Sequence, residues 1–122
     1  MRLTKCNMNL LPELNGLLHD KWFDVDNLTF DELREEFRLI FGKHKALHDQ
    51  YLTISGVLGY KITDSEQVGI YDIYELSVNL ERRKILITGC IPISIELDVS
   101  EDFEITIHSG QPPASSMEER NE

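Results

Sequence analysis

The densest group of side chains that could do chemistry lies in one short segment near the N-terminus, residues 19–26. Its candidate ligand-binding residues are His19, Asp20, Trp22 and Asp24, and Asp26 follows them. Carboxylate oxygens suit hard divalent cations, and an imidazole can join them around a transition metal. The spacing matches no common metal signature, however. We therefore favour a structural interpretation, in which His19 lies at the C-terminal dipole of a helix and the aspartates make turns.

Two further places carry candidate residues. Asp72 interrupts the apolar face of a predicted strand, and a carboxylate facing a core must be paired or hydrogen-bonded. The alternative, which we favour, is a bulge near Gly69 that turns Asp72 outward. His44 and His48 could share one helix face and one metal, but Lys45 stands where a zinc protease needs glutamate. A surface pair of histidines is the better interpretation.

The sequence contains no motif of nucleophilic or phosphate chemistry. Residues 56–59 lack the spacing and the lysine of a phosphate-binding loop. Ser55-Gly56 has no recognisable His or acidic partner. We therefore assign no catalytic residue and expect no cofactor and no metal, and an enzyme is the less favoured class.

Charge and composition exclude several partners. The 122 residues include 12 Lys plus Arg and 22 Asp plus Glu, so the net charge is 12 − 22 = −10. This charge repels a phosphate backbone or an anionic membrane, and the only basic run, residues 82–84, resembles a solvated hairpin loop. No apolar run approaches the length of a membrane span. We expect neither nucleic acid nor membrane as a partner.

The cysteines and the N-terminal residues favour a cytoplasmic protein. Residues 1–11 contain no apolar stretch typical of a signal peptide. Cys6 and Cys90 lie far apart without a C-x-x-C spacing, so we expect reduced thiols rather than a zinc site.

Periodicity predicts the elements that must position these residues. Leu14, Leu17 and Leu18 follow Pro12 at helical spacing, which predicts one short N-terminal helix. From residue 51 onward, strict alternation predicts antiparallel strands with one covered face. The predicted inward positions are the even residues of 52–62 and 68–80 and the odd residues of 85–107. Loops at 81–84 and 100–102 would close hairpins. The resulting cross-strand pairs are Leu80 with Ile85, Val78 with Ile87, and Val99 with Phe103.

Length decides the architecture. Fully extended, residues 84–99 would span ~50 Å, whereas a compact domain of this size is ~35 Å across. We therefore expect a break at residues 89–92 and another at Gly56 or Gly59. The fold class is mainly β (α+β): an antiparallel β-sandwich or partly closed barrel with one short helix. Residues 1–109 would form a single domain, and residues 110–122 a disordered acidic tail.

The segment between residues 24 and 48 has two interpretations. A capping box at residues 29–32 and the spacing of Phe30, Leu33 and Phe37 fit a helix, which periodicity alone slightly favours. A hairpin with strands at 26–30 and 36–41 fits as well.

A resemblance bears on this choice. Residues 18–26, with the pattern L-H-D-x-x-F-D-x-D, resemble a set of small uncharacterised bacterial proteins. Residues 68–72 and 87–92 look similar to the same set, and the likeness covers most of residues 15–108. It implies strands rather than a helix over 26–41, and it implies no catalytic residue, because no function is attached to that set.

These observations support two functional hypotheses. The first is a non-catalytic protein–protein interaction or self-assembling module, because small acidic proteins bind basic partners through complementary charge. A homodimer could form through strand edges at 51–57 or 103–107. The alternative is a divalent-metal-binding protein or metal-dependent enzyme that uses the residue 19–26 cluster.

Overall fold

The computed structural model describes residues 1–46 and 48–112. The chain is mainly β, with one short N-terminal helix and one antiparallel sheet curled into a half-barrel, which confirms the predicted fold class. In chain order the elements are β1 (Arg2–Thr4), a 3-10 segment (Lys5–Leu10), α1 (Leu11–Leu18), β2 (Trp22–Asp24), a 3-10 turn (Val25–Asn27), β3 (Thr29–Asp31), β4 (Glu36–Gly42), β5 (Gln50–Thr63), β6 (Ile70–Asp72), β7 (Glu75–Asn79), β8 (Lys84–Thr88) and β9 (Ser94–Ser109).

The half-barrel depends on two long bent strands, β5 and β9, which pair with each other along both halves. The first half of β5 also pairs with β4, and the second half of β9 with β1. The first half of β9 pairs with β8 on its other side. The predicted free edges at 51–57 and 103–107 are therefore wrong over most of their length, because strands cover both sides of residues 51–55 and 104–106.

Gly56 is the bend in β5, as predicted. Its φ is +78°, a left-handed conformation that glycine adopts without strain. Ser55 pairs with Glu104 and Val57 with Val99, so Gly56 alone lies opposite residues 100–103 of β9. The predicted hairpin at 100–102 is wrong. Strand β9 continues through these residues as a large bulge, because partner strands hold β9 on both sides of the bend.

The β7–β8 hairpin forms, but its predicted register is wrong by two residues. Val78 pairs with Ile85 and Leu76 with Ile87. The turn is one residue earlier than predicted, because the Asn79 side chain accepts a hydrogen bond from the Arg82 amide and fixes it. Since the shift is even, Leu76, Ile85 and Ile87 still face the core, whereas Leu80, which was predicted to pair with Ile85, lies in the turn and is 48% exposed.

The predicted inward face is confirmed along β8 and β9. Ile85, Ile87, Ile95 and Leu97 are at most 1% exposed, and the break at residues 89–92 is present between the two strands. Before β7 the predicted parity is wrong. Tyr71 and Ile73 are buried and Tyr74 is half exposed, because the turn before β6 contains two residues of positive φ and resets the alternation.

The N-terminal half combines the predicted helix with the hairpin alternative. In α1, Leu14 and Leu18 are buried, and Pro12 lies in the first turn. Strands β3 and β4 form a hairpin, so the helix favoured by periodicity over this segment is wrong. Leu33 is 94% exposed at the hairpin tip, where the Asp31 carboxylate accepts the Leu33 amide hydrogen bond and closes the turn.

Two observations complete the description. Within residues 1–46 and 48–112, no helix has the length and apolar character needed to cross a bilayer. At the C-terminal end, the Gly110 amide donates to the Asp49 carbonyl over 2.7 Å, and the Gln111 amide group donates to the His48 carbonyl. Residues 113–122 of the predicted tail lie outside the described residues.

Candidate functional site

Pairing of β2 with β6 brings four of the five sequence-predicted site residues together. Trp22 pairs with Asp72, and the Asp20 amide donates to the Ile73 carbonyl. His19 Nε2 lies 3.5 Å from the Asp20 carboxylate. We call this group, His19, Asp20, Trp22 and Asp72, the seam. Asp24 lies at the far end of β2.

Asp72 is buried at the seam, with 8% exposure, so the outward bulge favoured from the sequence is wrong. Strand β6 pairs regularly with β2, and the loop after β8 folds over the carboxylate. The Ile91 amide donates to Asp72 Oδ1 over 3.1 Å. Burial raises the pKa of the Asp72 carboxyl, but hydrogen bonds from Ile91 and Cys90 outweigh burial and hold this pKa below its ordinary value. Asp72 therefore anchors a loop.

Cys90 is the reactive group that sequence reasoning did not place at the seam. The hydrogen bond to the Asp72 carboxylate raises the pKa of the Cys90 thiol, and partial desolvation adds to this effect although the residue is exposed. A thiol reacts as its thiolate, so this environment suppresses nucleophilic chemistry. The seam therefore has a cysteine beside a carboxylate, but not an activated nucleophile.

The other contacts of the predicted site residues, inside and outside the seam, are structural. The ring nitrogen His19 Nδ1 lies 3.0 Å from the Tyr74 carbonyl oxygen. Asp24 Oδ1 accepts the Asp26 amide over 2.9 Å and begins a 3-10 turn, as the structural interpretation predicts. In the described part of the chain, no group of three or more His, Cys, Asp or Glu side chains could hold a metal ion. His44 and His48 lie in the loop after β4 and not on a helix.

A second candidate site covers the outer face of β4, β5 and β9. The strand register places its polar side chains in rows across the sheet. We call this face the platform, and its members are Glu36, Arg38, Tyr51, Thr53, Ser55, Glu104, Thr106 and His108. These residues and Arg34 line a shallow groove of about 360 Å³.

One end of the platform is aromatic. Tyr51 and His108 are cross-strand partners, and their rings stack at a centroid distance of 4.4 Å and an interplanar angle of 11°. The Arg38 guanidinium carbon lies 5.7 Å from the Tyr51 ring centroid, within cation–π range. Thr53 Oγ1 is 3.0 Å from His108 Nε2. These contacts fix the orientation of the side chains before anything binds.

Arg38 has unused hydrogen-bonding capacity. Its Nη2 lies 3.5 Å from Glu36 Oε1, whereas its Nε is buried without a hydrogen-bond partner among residues 1–46 and 48–112. Leaving a buried polar donor unsatisfied costs about 1–3 kcal/mol. An acceptor brought by a ligand would let this guanidinium rearrange and recover part of that cost.

Sequence reasoning missed the platform. The only signal was parity, because Tyr51, Thr53 and Ser55 occupy the odd, outward positions of β5. This parity identifies the solvent-facing side of β5, but it does not show which residues of β4 and β9 lie beside β5.

Comparison with known proteins adds no assignment to either site. No protein-family model matches this chain. A search of curated proteins likewise finds no significant match.

Proposed function

We propose that this chain is a non-catalytic protein-interaction module whose platform binds a protein partner. The observation that carries the proposal is the stacked Tyr51–His108 pair with Arg38 beside it, on a polar sheet face. Tyrosine and arginine are enriched among the residues that dominate binding energy, especially where a polar rim surrounds them. The weak nucleophile at the seam supports a non-catalytic role.

The partner we propose is basic overall. The chain carries a net charge of −10, which attracts a basic protein over long range and accelerates association. On the platform itself, cations are matched locally: Arg38 lies near Glu36, and Arg2 Nε lies 3.0 Å from Glu104 Oε1. Long-range charge would therefore steer the encounter, while stacking and hydrogen bonds hold the complex.

We also propose a cytoplasmic location. Cys6 and Cys90 are both free and exposed, which supports a reducing compartment.

Site-specific photo-crosslinking tests the platform. A photoreactive phenylalanine analogue replaces Tyr51 in cells of the source organism, and the control carries the same analogue at Val68, which is 56% exposed in a turn away from the platform. We expect a basic protein crosslinked from position 51 and not from position 68. Crosslinks of the same proteins from both positions, or none from position 51, would refute the proposal.

The captured partner then allows a quantitative test with purified proteins. Tyr51→Ala should weaken binding at least tenfold, about 1.4 kcal/mol, because truncation of the stacked aromatic residue removes a large contact with the partner. Leu17→Ala, at a 44% exposed position on α1, serves as the matched control. Equal affinities for the two variants would contradict the assignment of the platform.

A further inference from the structure

The second half of β5 has an uncovered edge. Strand β4 pairs with β5 only over residues 50–55. From Leu58 to Thr63, the side of β5 opposite β9 has no strand partner in the described part of the chain. We call residues 58–63 the β5 edge. In an antiparallel ladder every second residue directs its N–H and C=O away from its neighbour, so this edge presents unpaired groups.

The edge of β7, unlike the β5 edge, is protected against the addition of another strand. Helix α1 lies along β7, and the Asn15 side chain accepts the Leu76 amide over 2.8 Å and donates to the Leu76 carbonyl over 2.9 Å. A side chain thus occupies the groups that an added strand would use. No described residue covers the β5 edge in this way, and Lys61 is the only charged residue of the edge.

Apolar side chains accompany the free backbone. Tyr60 pairs with buried Leu97 and therefore faces the interior, yet it is 50% exposed at the open side. Its ring lies 5.2 Å from the Phe30 ring. Leu58 is 57% exposed beside it. A strand added here would gain main-chain hydrogen bonds and would cover the exposed part of Tyr60.

Charge indicates which kind of strand fits. The Val57 amide donates to the Glu35 carbonyl over 2.8 Å, which places the exposed Glu35 at one end of the β5 edge. Asp64 and exposed Glu66 follow its other end. In an antiparallel pair of two copies, the Glu66 end of one would approach the Glu35 end of the other, and these like charges repel. A segment with basic ends meets acidic groups at both ends instead.

We propose that the β5 edge binds an extended segment of another protein by strand addition, with apolar residues at alternate positions and Lys or Arg at both ends. This recognition mode combines main-chain hydrogen bonds for affinity with alternate side chains for specificity. The surface lies on the opposite half of β5 from the platform and does not depend on platform binding.

A peptide probe tests the proposal on the full chain. The probe is a fluorescein-labelled peptide of alternating valine and threonine with two lysines at each end, and binding is measured by fluorescence anisotropy. N-methylation of alternate backbone amides should weaken binding at least tenfold, because it blocks strand pairing on one side. Replacing the terminal lysines by glutamates should do the same. Unchanged binding of either modified peptide would overturn the proposal.

Variants of the chain locate the contact. Glu35→Lys combined with Glu66→Lys should weaken probe binding several-fold at low salt, whereas Glu13→Lys, on α1, should have a much smaller effect. Tyr51→Ala should leave probe binding unchanged, which separates this surface from the platform. If Glu13→Lys weakened probe binding as much as the Glu35→Lys and Glu66→Lys double variant, the result would count against the β5 edge as the binding surface. A homodimer in native mass spectrometry that the probe dissociates would assign the edge to a second copy instead.

Discussion

Replacing Gly56 by alanine should destabilise the fold strongly, because two separate costs meet at this bend. The backbone at Gly56 has a φ of +78°, where an alanine pays about 1–2 kcal/mol. A Cβ built there would lie 2.7 Å from Ser100 Oγ and 3.1 Å from the Phe103 Cα. The serine hydroxyl can rotate away, but the Phe103 backbone cannot move without shifting β9. Such overpacking typically costs ~1–3 kcal/mol.

The sum is about 2–5 kcal/mol, from a total stability of the order of 5–15 kcal/mol for a protein of this kind. Gly59→Ala is the matched control three residues further along β5. Among the residues that the structure describes, a Cβ at Gly59 would meet only Asp98 Oδ2, at 3.8 Å, and the φ of Gly59 is not positive. We expect this control to change stability by less than about 1 kcal/mol.

Urea denaturation of the two variants measures the difference. The single tryptophan, Trp22, provides the fluorescence signal, and circular dichroism gives an independent probe. The midpoint of Gly56→Ala should fall well below that of Gly59→Ala, with similar slopes. A difference in unfolding free energy below about 0.5 kcal/mol between the variants would show that Gly56 is not the obligatory bend.

Two further predictions concern the seam and the β7 edge. In a Cys6→Ser background, Asp72→Asn should speed iodoacetamide labelling of Cys90 several-fold near neutral pH. The Asp72 carboxylate raises the pKa of the Cys90 thiol, so removing the carboxylate lowers this pKa and increases the thiolate fraction. An unchanged or slower rate would contradict this account. Asn15→Ala should lower the unfolding free energy by about 1–3 kcal/mol, because both backbone groups of Leu76 lose their partner. Asn15→Asp, which keeps one acceptor, should cost less, and equal losses would argue against the hydrogen bonds.

The alternation of apolar residues was sufficient to predict the strands that have one face covered along their whole length. Ile85, Ile87 and Ile95 are buried as alternation predicts, since each lies in a regular ladder with a partner on both sides. Alternation failed where a residue of positive φ intervenes. Gln67 and Gly69 both adopt such conformations before β6, and the parity after them reverses. The sequence alternates regularly on each side of these two residues, so the alternation within either segment cannot reveal the reversal.

The path of β9 through residues 100–103 could not be predicted locally either. Ser100-Glu101-Asp102 has the composition of a hairpin loop. The strand continues because its first half is held between β5 and β8 and its second half between β5 and β1. These contacts join residues far apart in sequence, so they determine a structure that the short segment does not encode.

The two candidate sites differ in how their polar groups are used. At the seam, Asp72 accepts an amide and a thiol, and at the far end of β2 Asp24 accepts a neighbouring amide, so both carboxylates already have partners within the fold. On the platform, Arg38 keeps a donor that has no partner among the described residues, beside the ring of Tyr51. Binding a partner gains most where hydrogen-bonding capacity remains after folding. The stronger candidate is therefore formed by residues from separate strands, Arg38, Tyr51 and His108, which only the sheet register brings together.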